Sequence, residues 1–139
     1  EITVNKWVNG NNKIYKKNKK IYMEWIFFIE WIQEKSIDER FRKFKDDFTE
    51  EDFVYKRLVR SGDIDVTHHT NNVTYITMLL DTFSVNELES MTLKEIEISY
   101  QNESLEGETL LIFRKKTDDG YFFKIMKDDG KNAVMAFLC

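Results

Sequence analysis

The chain has 139 residues, 42% of them hydrophobic and 33% charged, with a formal charge of -4 and a pI near 5.3. That length buries one core, either a single domain or a domain plus part of another, and the acidic balance argues against binding to a nucleic-acid backbone, which needs a net basic face. A single cysteine, Cys139, excludes an intramolecular disulfide and a cysteine-rich metal centre, and it fits a reducing compartment.

Ile2 to Val8 alternates in the manner of a strand, and Asn9-Gly10-Asn11-Asn12 supplies a turn. Lys13, Lys16, Lys17, Lys19 and Lys20 follow, as a solvated strand edge or loop, or as a docking patch for an acidic partner. Tyr22 to Lys35 carries Trp25, Phe27, Phe28, Ile29, Trp31 and Ile32 and predicts a long buried strand, or two strands joined by a bulge. Its apolar run is broken by Glu30 and is far too short to span a bilayer. No signal-peptide pattern is visible, although a first residue of Glu rather than Met leaves room for an upstream segment. Ser36 to Asp47 changes character: Ser36 and Glu39 form a capping-box pair, and Ile37, Arg40, Phe41, Phe44 and Phe48 fall at helical spacing.

A second unit begins after residues 49–52. Phe53 to Arg60 alternates as a strand and leads into a turn at Gly62. Val73, Ile76, Leu79, Leu80 and Phe83 then repeat at three- and four-residue intervals, which predicts a helix with a wide apolar face, capped by Asn71 or Asn72. Ser84 with Glu87 predicts a short helix over Val85 to Ser90. From Leu93 the pattern becomes a meander. Ile96, Ile98 and Tyr100 alternate with polar residues, and further strands are expected over Leu110 to Arg114, Tyr121 to Lys127 and Ala133 to Leu138, with Asp-Gly hairpin signals at 119–120 and 129–130. Strand, long helix, then four antiparallel strands describes an α+β architecture, a sheet wrapped around one buried helix.

The two histidines of the chain sit side by side in Gly62-Asp63-Ile64-Asp65-Val66-Thr67-His68-His69-Thr70-Asn71-Asn72, immediately ahead of that helix. A metal site is disfavoured, since adjacent histidines point in different directions and no distant His or Cys completes a tetrahedron. A structural reading has Asp and Asn capping the helix, Asp63 shaping the Gly62 turn and the histidines solvated. A catalytic reading has Asp65 orienting His69 as acid or base while the helix start offers polarised N–H groups to a developing oxyanion.

The run Asp63 to Ile76 resembles the signature loop of the acyl-acyl-carrier-protein thioesterases, D-x-D-x-N-x-H-V-N-N-x-x-Y-I. Asp63, Asp65, His69, Asn71, Asn72, Tyr75 and Ile76 match it in order and spacing. Ile96 to Glu103 is similar to the strand of that family that ends in an active-site Glu. The resemblance covers residues 53–139 and implies a hot-dog fold, an antiparallel sheet around a long central helix. Residues 1–50 resemble more loosely the tail of a first hot-dog unit and its linking helix, so the implied division is 1–50 and 51–139.

By resemblance, Asp65, Thr67, His69 and Glu103 form the catalytic network, with Glu103 activating water or stabilising the intermediate. Thr67 stands where the family has Asn, which replaces an amide by a hydroxyl with a single donor. His68 occupies a position with no chemical role. Asn71 and Asn72 would contact substrate, and Met78 and Leu79, with Phe83, would either line an acyl tunnel or belong to the core. The implied reaction is hydrolysis of a fatty acyl thioester on the phosphopantetheine arm of acyl carrier protein in fatty acid biosynthesis, with no metal and no cofactor. Attack by water would be direct or through an anhydride-like intermediate. The acidic carrier would dock on the Lys13 to Lys20 cluster by charge complementarity. Nucleic acid and a membrane span are not expected, a homodimer is an open expectation, and the location is the bacterial cytoplasm or a plastid-type organelle. The competing readings are an acyl-coenzyme A thioesterase, a non-catalytic acyl-binding or oligomerising hot-dog subunit, and a hydratase or dehydratase with Asp63 and His68, which lacks an accompanying Asn-Pro signal.

Overall fold

The computed structural model describes the backbone of residues 2–8 and 11–17 and the whole of residues 42–139. The strands are β1 (Ile2–Val8), β2 (Asn11–Lys17), β3 (Phe53–Leu58), β4 (Glu95–Tyr100), β5 (Thr109–Thr117), β6 (Gly120–Lys127) and β7 (Asn132–Leu138); the helices are α1 (Asn72–Leu80) and α2 (Val85–Ser90). One antiparallel sheet holds all seven strands in the order β1-β2-β4-β7-β6-β5-β3. The predicted α+β order of a strand, a helix and four antiparallel strands is observed, but only β5, β6 and β7 form a meander: β4 pairs with β7 and not with β5.

Local chemistry accounts for the turns. Thr117 pairs with Gly120 across a two-residue loop of Asp118 and Asp119, a short hairpin of the kind such residues favour. Gly120 is required there: its φ is +150° and an added Cβ would lie 2.4 Å from the Leu138 carbonyl oxygen. Ser84 and Glu87 cap α2 reciprocally, as their spacing predicts.

Strand alternation sorts side chains onto two faces. Inward-facing Ile96, Ile98, Leu110, Ile112, Phe123, Ile125, Val134, Ala136 and Leu138 pack with Tyr75, Met78 and Leu79 of α1 and with Phe83 into one buried cluster. The buried stripe of α1 differs from the predicted one. Tyr75, Met78 and Leu79 define it, and Val73 lies about 160° from Tyr75 around the helix axis, where it is largely exposed.

The outer face is covered by residues 42–48. This segment was expected to complete a helix; it is irregular and non-helical, and residues 36–41 lie outside the described part. The physical reason is a period of two hidden beneath a helical spacing. The amide and side chain of Arg42 bind Glu97 of β4. Phe44 meets Phe122 edge-on. Asp46 accepts from Lys124 at 2.9 Å and from Asn132 at 2.8 Å, and Phe48 meets Phe113. Arg42, Phe44, Asp46 and Phe48 thus all address the sheet, which an extended segment allows and a helix forbids. Glu97 and Lys124, on the polar side of their strands by alternation, are buried as a result.

Lys13, Lys16 and Lys17 lie on β2: Lys13 pairs with both β1 and β4, whereas Lys16 and Lys17 lie beyond the β4 pairing and face β1 alone. Lys19, Lys20, the turn residues Asn9 and Gly10 and the Tyr22 to Lys35 strand fall outside the described residues. Among the described residues no helix is long and apolar enough to cross a membrane.

Candidate active site

Where the C-terminal end of β4 meets the start of α1, a cleft of about 610 Å³ opens, lined by Asp65, Thr67, His69, Thr70, Asn72, Tyr75, Tyr100, Gln101, Asn102 and Glu103. Two segments thirty-odd residues apart in the chain build it, one on either side. The first is the 63–71 loop. Asp63 anchors its base: the carboxylate accepts from Arg57 Nη2 at 2.7 Å and from the Arg60 amide at 3.0 Å, and its carbonyl accepts from the Asn71 amide at 2.8 Å. Ile64 and Thr70 bridge the two ends of the loop.

Within this loop Asp65 Oδ1 accepts from the Thr67 amide at 2.8 Å and from the Thr67 hydroxyl at 2.5 Å. Those two hydrogen bonds, the side-chain one first, hold the Asp65 carboxyl below its ordinary range and keep it ionised. The chain then reverses at His68, the one described non-glycine residue with positive φ, at +65°. Histidine is among the residues that adopt this region more readily, so His68 is the turn residue that carries His69 into the cleft. The pairing of the two histidines is conformational.

On the other side, Glu103 follows β4. Its Oε2 lies 2.9 Å from His69 Nε2. The expected side-chain contact between Asp65 and His69 is replaced by this one: the two residues meet through the backbone, Asp65 N–H to the His69 carbonyl at 3.1 Å, and the carboxylate against the imidazole belongs to Glu103. If the ring is neutral, donating its Nε2 proton to Glu103 leaves the Nδ1 lone pair available as a base.

The start of α1 completes the cleft. Asn71 Oδ1 caps the Val73 amide at 2.8 Å, and the Asn71 carbonyl accepts from Thr74 at 2.9 Å. The side chain of Asn71 is therefore occupied with the helix, and Asn71 is not among the cleft-lining residues. Asn72 does line the cleft, and as first residue of α1 it stands at the positive end of the helix dipole. Tyr75 and Tyr100, with ring centroids 5.9 Å apart, line it on the side toward the core. Met78 and Leu79 lie beyond, fully packed, and do not reach the cleft. The arrangement thus brings together Asp65, Thr67, His69, Glu103 and Asn72. Residue-type reasoning missed Ser104, whose 0% exposure and hydroxyl contacts are visible only in the fold.

Residues 46–136 match the family model described as the acyl-ACP thioesterase C-terminal domain. Among solved structures, an acyl-ACP thioesterase from Bacteroides thetaiotaomicron superposes with a TM-score of 0.64 at 16% identity, over 98% of this chain and 65% of that one. The 12:0-ACP thioesterase from Umbellularia californica gives 0.60 at 13% identity, again over 98% of this chain and 65% of its own length. A 1,4-dihydroxy-2-naphthoyl-CoA thioesterase from Synechocystis gives 0.52 at 15% identity, over 62% of this chain and 77% of that one. At these identities the structural likeness shows the hot-dog fold alone. The chain spans just under two thirds of the length of the first two proteins. No protein among the curated sequences matches it.

Proposed function

Since this chain belongs to the acyl-ACP thioesterase family, we propose that the cleft hydrolyses fatty acyl thioesters carried on acyl carrier protein, as a step of fatty acid biosynthesis. The observation that carries the reading is the 2.9 Å contact between His69 and Glu103 in one cleft with Asp65 and Thr67. The His69–Glu103 pair takes a proton from water as its oxygen attacks the thioester carbonyl, and the carbon–sulfur bond then breaks. The proton is returned to the departing thiolate, so the products are a carboxylic acid and the free carrier thiol. In this reading the backbone N–H of Asn72, at the start of α1, stabilises the oxyanion. Asp65 stays ionised on its Thr67 hydrogen bonds and holds the loop that presents His69. Thr67 does through its hydroxyl what the amide of an Asn would do toward Asp65. Within this proposal Asn71 acts on substrate only through the cap it gives α1, and Met78 and Leu79 support the apolar wall behind Tyr75 and Tyr100.

Carrier docking belongs to the same proposal. Asn11 lies opposite Ser99, at the cleft end of β4, and Lys16 and Lys17 lie five and six residues further along β2, about 17–20 Å away. A carrier seated on those lysines would reach the cleft through its extended prosthetic arm, while the cleft itself is lined by the acidic Asp65 and Glu103. We assign residues 51–139 to a C-terminal hot-dog unit and residues 1–50 to the tail of a preceding one, in a protein of the bacterial cytoplasm.

The test measures acyl release from carrier-bound and coenzyme A-bound substrates of several chain lengths. His69→Ala and Glu103→Ala should each lower kcat about 10²–10⁴-fold, with carrier-bound substrates preferred by wild type. Wild-type turnover in His69→Ala would remove the catalytic assignment, and a preference for coenzyme A would move the protein to that substrate class.

A further inference from the structure

His69 and Glu103 are 36% and 72% exposed, so the walls of the cleft do not by themselves fix them. The next residue of each segment is set differently. Thr70 and Ser104 are buried, at 5% and 0% exposure, and they join the two segments directly. The Thr70 amide and the Thr70 hydroxyl both donate to the Ser104 carbonyl at 3.0 Å. The Ser104 hydroxyl donates to Thr70 Oγ1 at 2.8 Å. Tyr75 OH lies 2.5 Å from Ser104 Oγ. A hydroxyl has one proton, and Ser104 has given its own to Thr70; Tyr75 must therefore be the donor to Ser104. The proton order is fixed from end to end, Tyr75 to Ser104 to Thr70 to the Ser104 carbonyl. The relay ties α1, the loop before it and the loop after β4 at one buried point, one residue away from each member of the His69–Glu103 pair.

Resting on the thioesterase reading above, we propose that Ser104 is a positioning residue of the reaction, holding Glu103 against His69 through this hydroxyl relay. Buried hydroxyls in a closed relay cost little to keep and much to break, because deleting one strands its neighbours without a partner. A shift of about 1 Å between reacting groups lowers turnover by up to roughly a hundred-fold.

The experiment pairs a structural and a kinetic readout. The chain contains only two histidines, so the imidazole signals of His69 can be followed by nuclear magnetic resonance with His68 as the internal control. In Ser104→Ala the His69 signals should move toward their positions in Glu103→Gln, those of His68 should stay, and kcat should fall roughly ten- to hundred-fold with KM little changed. Adding Ser104→Ala to Glu103→Gln should cost little more, because both changes act on one contact. Tyr75→Phe, which keeps the ring and removes only the donor, should show the same changes to a smaller degree; it carries the test if Ser104→Ala fails to fold. Unmoved His69 signals in a folded variant, retained kcat, or an undiminished loss in the Glu103→Gln background would each overturn the proposal. If wild type hydrolyses no thioester while the His69 signals still move in Ser104→Ala, the positioning stands and the thioesterase reading falls.

Discussion

The inner face of the sheet meets α1 through uncharged side chains, whereas the outer face meets the 42–48 segment through charged pairs set between aromatic rings. Inside, Met78 and Ile98 are wholly buried among apolar neighbours. Outside, Glu97 is equally buried and lies against Arg42, and Lys124 lies against Asp46, with its ammonium also 4.7 Å from the Phe113 ring centroid. The two closures differ in what they contribute. Apolar burial stabilises by roughly 1.5–3 kcal/mol per large side chain and is indifferent to direction. An ion pair with one member buried and the other exposed, as in Arg42–Glu97 and Asp46–Lys124, loses part of its attraction to desolvation and solvent screening but tolerates only its own partner. The inner face therefore supplies stability, and the outer face supplies the register with which an irregular segment lies across β4, β7, β6 and β5. The cleft lies at the end of β4, whose side chains, like those of β5 and β6, serve both closures.

The contrast is most severely tested from inside. Ile98→Ala removes a fully buried side chain facing α1 and should cost about 2–5 kcal/mol in denaturant unfolding; a loss under 1 kcal/mol would mean that the helix face is not the main source of stability. A lesser effect is expected outside. Asp46→Ala leaves the largely buried Lys124 ammonium without its carboxylate and should cost about 1–3 kcal/mol. The same contact should respond to acid. Hydrogen bonds from Asn132 and Lys124 hold the Asp46 carboxyl below its ordinary value of 3.8. A carboxyl with a depressed folded pKa contributes stability that is complete above its unfolded value and is lost as pH falls through the folded one. Hydrogen exchange of the 42–48 amides should accordingly accelerate below the ordinary carboxylate range before the β6 and β7 amides respond; simultaneous release would erase the distinction between the faces. The smallest effect belongs to the exposed rim, where Lys115 reaches Asp47 at 3.2 Å. Asp47→Asn should change stability by less than about 1 kcal/mol, and a larger loss in the same unfolding assay would show that the segment is held by its exposed pairs as well.

Period and turn chemistry made most of the 53–139 unit legible. The strands β4 to β7, the Asn71 cap and the Ser84–Glu87 capping box follow from alternation and from side chains that satisfy the backbone locally, whereas the pairing of β4 with β7 instead of β5 does not. The 42–48 segment was not legible, because Phe44 and Phe48 are four apart, as in a helix, and also on one side of an extended chain; only Phe113 and Phe122 beneath them decide between the two. The burial of Glu97 and Lys124 was hidden for the same reason. In the site, Asp65 and His69 lie four residues apart in one loop and could be read together, whereas the roles of Thr67 and Glu103 were reached only through the family resemblance.

What the sequence determined by itself is whatever a few neighbouring residues settle between them: which strands alternate, where the helix begins, where the hairpins turn, and that a loop dense in acid, hydroxyl and imidazole precedes the helix. What only the tertiary structure decided is how groups far apart in the chain meet. It set Glu103 rather than Asp65 against His69, gave His68 the left-handed turn, and buried Ser104 between Thr70 and Tyr75. The physical reason is that local preferences fix φ and ψ a few residues at a time, whereas a hydrogen bond across 34 residues exists only once a shared core has brought both segments to one place.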